Sequence, residues 1–160
     1  MKASTVHELK DELKHLSVKE LVELCNRLAR FKKENKELLT YLLFEAHDEK
    51  GYIQSVKQEV EQMFAEIPKG NSLYLQKKSI RKILRTVNKY IRYSGIKTTE
   101  VELLLHFCSR LGQSGIKFRE STALSNLFES QLKKANKQVL TLHEDLQYDY
   151  LRVIDDLQDY

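Results

Sequence analysis

Residues that break helices are scarce in this 160-residue chain, which has one proline and five glycines. In a helix interior, glycine is about 1 kcal/mol and proline about 3 kcal/mol less favourable than alanine. The stretches between them are rich in Leu, Lys and Glu, which are good helix formers. Firm breaks occur at residues 67–72, 93–99 and 111–117, where glycine, proline, serine and threonine gather. The sequence therefore predicts an all-α fold.

Apolar residues recur with helical period between the breaks, and capping boxes mark three helix starts. In a capping box, a Ser or Thr side chain accepts from the amide three residues on, and the Glu at that position reaches back. The pairs are Thr5 with Glu8, Ser17 with Glu20, and Thr99 with Glu102. We predict seven helices, over residues 5–15, 18–31, 34–47, 49–67, 72–94, 100–112 and 119–159. Whether 18–47 is one helix or two stays open, because only polar residues interrupt its pattern.

The order of these helices predicts an irregular stack of antiparallel helical hairpins, with an up-and-down bundle as the alternative. The stack is similar to helical repeat proteins, although no tetratricopeptide, ankyrin or leucine-rich signature aligns. A chain of this length suits one domain with a substantial core, so we expect a single domain over 1–160.

The last predicted helix carries an apolar seam with near-heptad spacing. Its positions are Phe128, Leu132, Ala135, Val139, Leu142, Leu146, Tyr150, Val153, Leu157 and Tyr160. One helix over 119–159 would be about 60 Å long at 1.5 Å per residue, which exceeds what a compact domain needs. Its acidic end, residues 144–160, would either lie along other helices or protrude. In the second case we expect a homodimer through the last helix.

The most unusual surface lies in residues 77–97, which carry eight basic side chains and no acidic one. On a helical wheel, five of them fall within about 60° of Lys78, opposite the apolar residues: Arg81, Lys82, Arg85, Lys89 and Arg92. Tyr93, near the helix end, is the aromatic residue best placed to stack on a base. We predict that the partner-binding residues are Lys78, Arg81, Lys82, Arg85, Lys89, Arg92 and Tyr93.

A cationic face of this kind admits three partners. An acidic protein surface is the first, and the phosphates of a nucleic acid are the second, because arginine forks bind phosphate in bidentate fashion. The third is the chain's own acidic C-terminal helix, since residues 144–160 sum to −5. The leading prediction is a non-enzymatic interaction or scaffold protein that uses face 78–92. The alternative is a nucleic-acid-binding protein that grips phosphates with the same face.

Candidate catalytic and metal-binding residues are few. Glu12 and His15 have the spacing of one half of a di-iron motif, which requires two such pairs. His106 and Cys108 are two positions apart, so on a helix they point about 200° apart and cannot act as a nucleophile and its base. No phosphate loop, zinc spacing or dinucleotide fingerprint occurs. We therefore predict no catalytic, cofactor or metal site, and no enzymatic activity.

The two cysteines, Cys25 and Cys108, lack CxxC spacing, and we predict both as buried free thiols. The N-terminus lacks the apolar core of a signal peptide. The longest apolar run, residues 38–44, is far shorter than the roughly 20 residues that span a bilayer. We expect a cytoplasmic protein without a membrane span.

Overall fold

The computed structural model describes residues 2–68, 70 and 72–160, and this part of the chain is helical without strands. The α-helices are α1 (Val6–Leu13), α2 (Val18–Phe31), α3 (Lys33–Thr40), α4 (Glu49–Ala65), α5 (Leu73–Ser94), α6 (Lys97–Gln113), α7 (Thr122–Val139) and α8 (Glu144–Gln158). A π-helical turn, Tyr41–Glu45, follows α3, and a 3-10 helix, Phe118–Glu120, precedes α7. The all-α prediction is confirmed.

The chain forms two compact units that divide between Phe44 and Glu45. The single domain over 1–160 stays a prediction. In the first unit, both predicted capping boxes form. The Thr5 amide donates to Glu8 Oε2 at 2.7 Å, and the Glu8 amide donates to Thr5 Oγ1 at 3.3 Å. Ser17 and Glu20 repeat this arrangement, so α1 and α2 begin where the sequence indicates.

α2 and α3 are separate helices that contact each other as a helical hairpin. The break lies at Lys32, whose backbone is extended with φ −141° and ψ 142°. Asn35 stabilises it, because its side-chain Nδ2 donates to the Leu28 carbonyl at 2.9 Å. That carbonyl is among the last four of α2, which have no partner within the helix. Residues 18–47 therefore contain two α-helices and not one continuous helix.

α6 is the central helix of the second unit and contacts α4, α5, α7 and α8. A helix that is apolar over most of its surface is typically buried, and α6 is apolar except for one stripe that carries Glu102, His106 and Arg110. The buried residues of α6 are Thr99, Val101, Leu103, Leu104, Leu105, Phe107, Cys108 and Leu111. Phe64 of α4 packs on Phe107 with 5.8 Å between ring centroids. The core of this unit therefore surrounds α6.

The predicted single helix over 119–159 is wrong, because the chain turns at residues 140–143 between α7 and α8. Local hydrogen bonds stabilise the turn: Thr141 Oγ1 donates to the Gln138 carbonyl at 2.8 Å, and Gln147 Nε2 donates to the Leu142 carbonyl at 2.8 Å. These side chains pair carbonyls that the helix end leaves free. His143 then caps α8 by accepting from the Asp145 amide at 3.4 Å.

The turn folds α8 back onto α6 and α7. Five of the ten seam residues are buried within the second unit, namely Phe128, Leu132, Ala135, Val139 and Leu157. Leu146, Val153 and Tyr160 remain exposed. The homodimer expected through the last helix would thus lack a continuous seam.

The third predicted capping box, Thr99 with Glu102, is also wrong. α6 begins at Lys97, so Thr99 lies inside its first turn and is buried. Thr99 Oγ1 and Ser94 Oγ each donate to Glu49 Oε1 at 2.5 Å. One carboxylate at the start of α4 therefore joins the end of α5 to the start of α6.

Candidate functional site

α5 positions the predicted surface because its apolar and basic side chains lie on opposite sides. Ile80, Ile83, Val87 and Ile91, spaced by three or four residues, are buried in the second unit. The exposed basic residues are Lys78, Arg81, Lys82, Arg85 and Arg92. The structure therefore brings five of the seven predicted residues to solvent on one helix.

Lys89 and Tyr93 differ from the other five, because both are half-buried. Lys89 Nζ lies 4.6 Å from the ring centroid of Tyr90 and 5.9 Å from that of Tyr93. The rings of Tyr90 and Tyr93 are themselves in edge contact, with centroids 6.0 Å apart. Such cation–π contacts contribute about 0.5–1 kcal/mol at exposed sites. Tyr93 is thus packed against its own helix, which reduces its access to a base.

A shallow surface groove of about 540 Å³ follows α5. Its lining residues are Tyr74, Lys77, Lys78, Arg81, Leu84, Arg85 and Asn88. From Tyr74 to Asn88 the groove covers roughly 21 Å of helix at 1.5 Å per residue. Tyr74 is 73% exposed and, with Leu84, places apolar surface among four cations. A count of basic residues does not identify Leu84 and Asn88 as part of this surface. Their positions do, because Leu84 is three residues after Arg81 and Asn88 is three residues after Arg85.

Lys134 of α7 reaches one end of the groove. Its Nζ donates to Asn88 Oδ1 at 3.4 Å and pairs with Glu100 Oε1 at 2.9 Å. Asn88 lines the groove, so Lys134 lies beside it, but the charge of Lys134 is paired with that of Glu100. The two residues are 46 positions apart, and no local sequence pattern joins them. Only the packing of α5, α6 and α7 identifies Lys134.

The five exposed cations form no ion pair with any residue that the structure describes. α8, the predicted internal partner, packs against α6 and α7. Within the described residues, none of its carboxylates pairs with a lysine or an arginine. The acidic helix therefore leaves the face of α5 open to other partners.

A second group of polar side chains lies between α4 and α6. Glu61 is 3.1 Å from His106 Nε2 and 2.8 Å from Arg110 Nε, although neither nitrogen is aligned for a hydrogen bond to a described residue. Burial lowers the pKa of His106, and the Glu61 carboxylate opposes that shift. The neutral imidazole is therefore the favoured form at neutral pH, and the group fits a stabilising role.

Glu102 extends this polar group toward α8. It pairs with Lys57 of α4 and accepts a hydrogen bond from Tyr150 Oη at 2.9 Å. Burial, followed by the bond to Glu102, raises the pKa of Tyr150 to about 12. Tyr150 is therefore a phenol at neutral pH and joins α8 to α6.

The two cysteines have different environments. Cys108 is fully buried in α6, and burial raises the pKa of its thiol to about 12. A thiol of this kind is unreactive, because the thiolate is the nucleophile. Cys25 is exposed on α2, so the prediction of a buried thiol is wrong there. Both cysteines are free thiols, as the sequence predicts.

Comparison of this chain with family models, with curated proteins and with solved structures found no match. Over residues 2–68, 70 and 72–160, no three His, Cys, Asp or Glu side chains gather to hold a metal ion. In that same part, no helix combines the length and apolar character needed to cross a membrane. Functional inference therefore depends on the chemistry of α5 and its groove.

Proposed function

We propose that this chain is a non-enzymatic interaction protein, and that the α5 groove binds an acidic segment of a partner protein. The observation that carries the proposal is the set of exposed cations without ion-pair partners in the described residues, beside Tyr74 and Leu84. Complementary charge speeds association and selects partners, whereas buried apolar anchors supply most of the affinity. The groove offers both.

An acidic amphipathic helix is the partner segment that fits this groove. The groove spans about four helical turns. Its lining positions repeat every three or four residues, so carboxylates on one face of a partner helix would meet Lys78, Arg81 and Arg85 in turn. Apolar residues on the same partner helix would cover Tyr74 and Leu84. A cytoplasmic location stays a prediction of the sequence.

Nucleic acid is the second candidate, and the arginines favour it. Arg81, Arg85 and Arg92 are exposed and unpaired in the described residues, and each has a planar fork that suits phosphate. A phosphate binder, however, has no use for the apolar side chain of Leu84.

Fluorescence anisotropy separates the two candidates. The labelled probes are an acidic amphipathic peptide, a single-stranded RNA and a duplex DNA, each titrated at low and moderate salt. The test variant changes Lys78, Arg81, Lys82, Arg85, Lys89 and Arg92 to Gln. The control variant removes the same charge elsewhere, by changing the exposed lysines Lys2, Lys10, Lys19, Lys33, Lys36 and Lys50 to Gln.

We expect the intact chain and the control variant to bind the peptide, and the test variant not to bind it. Binding of RNA or DNA instead, with the salt slope falling by about one for each cation removed, would make nucleic acid the function. If the folded protein binds none of the probes at low salt, the face of α5 is only solvated and the proposal fails.

A further inference from the structure

The first unit leaves the apolar faces of its helices exposed. Over residues 2–44, α1, α2 and α3 contain no buried residue, and Tyr41 alone is buried. The apolar residues of α2 cover about half of its circumference. Its exposed members are Val18, Val22, Leu24, Leu28 and Phe31, with Val18 and Phe31 79% and 77% exposed. An amphipathic helix normally buries such a face.

An apolar groove of about 260 Å³ continues this face between α2 and α3. Its lining residues are Cys25, Leu28, Ala29, Asn35, Leu38, Leu39 and Leu42. Asn35, the polar member, already bonds to the Leu28 carbonyl. Leu42, Leu43 and Phe44 are exposed after it in the chain. The groove therefore presents mainly hydrocarbon to solvent.

Helices of this size need a partner to be stable. α1 and α3 have eight residues each, fewer than the roughly 12–15 at which an isolated helix becomes even marginal in water. Units near 40 residues that lack a core usually depend on a disulfide, a metal or oligomerisation. Cys25 is free, and the described residues include no metal cluster. Association with a second copy of the chain is one such source of stability.

The stripe that would lie in an interface is narrow. Leu24, Leu28 and Phe31 are 37%, 51% and 77% exposed. Val18 and Val22 lie about 120–180° from Leu24 and Phe31 on the wheel, so they belong to another side of α2. An interface on this stripe would therefore include the polar residues along its edges.

The charges beside this face indicate that the partner is a second copy. On a wheel, Leu28, Leu24 and Phe31 form a stripe about 60° wide, and Glu20 and Arg27 lie along its edge about 20° apart. Glu20 and Arg27 have opposite charges and are one heptad apart. If two α2 helices cross antiparallel on a two-fold axis, Glu20 of each copy faces Arg27 of the other. The edge of the stripe is therefore self-complementary.

We propose that the first unit binds a second copy of itself through α2, so that the chain is an antiparallel homodimer at this helix. The apolar stripe of α2 lies at the centre of the interface, and the Glu20–Arg27 pairs lie at its edges. This surface is separate from the α5 groove, so either proposal can fail without the other.

Sedimentation equilibrium of the full chain over a range of concentrations tests this proposal. We expect a dimer that dissociates in Leu24→Glu, with the dissociation constant raised by about 100-fold, because a buried charge would replace an apolar contact. Arg27→Glu places like charges opposite each other and should raise the dissociation constant about tenfold. Arg30→Glu is the matched control, since Arg30 is exposed on the polar side of α2, and it should leave the dimer unchanged.

Leu24 and Arg27 are exposed, so these variants should fold, and circular dichroism of each checks that they do. If the intact chain is a monomer at about 100 µM, its dissociation constant is above the micromolar range and the proposal is overturned. So does a dimer that survives Leu24→Glu, or one that is lost only when the chain is truncated after residue 143. The last result would assign the interface to α8 instead.

Discussion

Tyr74 tests the proposed peptide partner of α5 at the scale of a residue. An acidic amphipathic helix would bury its exposed ring as an apolar anchor. We expect Tyr74→Ala to weaken binding of the acidic peptide about tenfold, or about 1.4 kcal/mol, with an unchanged salt slope. Anisotropy at two salt concentrations measures both. Tyr148→Ala is the control, since Tyr148 is exposed on α8, and equal losses in the two variants would contradict the anchor role.

His106 gives a prediction for pH at the same scale. Burial lowers its folded-state pKa below the ordinary value of 6.5, so the unfolded chain binds the proton more readily. The unfolding free energy should therefore be highest above pH 6.5 and should fall as pH decreases from there toward the folded-state pKa. Urea unfolding at pH 7.5 and 5.5 should show a smaller difference in His106→Gln than in the intact chain.

The exposed His47 provides the comparison, since His47→Gln should leave the pH difference as it is in the intact chain. The comparison separates the effect of His106 from that of removing any one histidine. An unchanged pH difference in His106→Gln would show that burial of this imidazole does not contribute to stability.

Individual residues also show how far local sequence determines structure. The capping boxes at Thr5 and Ser17 form because each needs only residues within one helical turn. Thr99 has the same pattern but bonds to Glu49, which is 50 positions away. Glu102 likewise bonds to Tyr150 and Lys57. A local motif fails where tertiary packing offers its side chains stronger partners.

At the scale of elements, Glu49 connects three helix ends and supports a prediction of stability. Removing its carboxylate in Glu49→Ala leaves the hydroxyls of Ser94 and buried Thr99 without this acceptor. We expect a loss of about 1–3 kcal/mol in the free energy of unfolding, as for other unsatisfied buried donors. Urea unfolding measures it. Glu66→Ala, at the exposed C-cap of α4, is the control and should change stability by less than about 0.5 kcal/mol.

Some helix ends are set by the conformational preference of a single residue, and others by hydrogen bonds from side chains to the backbone. The turn between α5 and α6 was evident from Gly95, whose φ of 67° lies in the left-handed region that favours glycine. The turns at Lys32 and at residues 140–143 contain neither glycine nor proline. Asn35 and Gln147 stabilise them through bonds to backbone carbonyls. Such bonds depend on the folded geometry. The periodic pattern of apolar residues continues across both turns, so the pattern does not predict them.

At the scale of the whole molecule, the two units have unequal cores. Tyr41 apart, every buried apolar residue of the described chain lies in the second unit. We therefore expect a chain that starts at Glu45 to unfold cooperatively and to bind the acidic peptide as the full chain does. It should also remain monomeric in sedimentation, because the α2 stripe is removed. A truncated chain that fails to fold, or that still dimerises, would contradict this assignment of roles.

The sequence by itself determined that the chain is all-α, where α1 and α2 begin, and that α5 has one apolar and one cationic side. These properties follow from propensity, capping and periodicity, which act within a few turns of helix. Tertiary structure alone decided that α8 folds back from α7, that Lys134 lies beside Asn88 of α5, and that α2 keeps an apolar stripe exposed. The reason is physical: burial and long-range hydrogen bonds depend on which helices meet, and residues distant in sequence make those contacts.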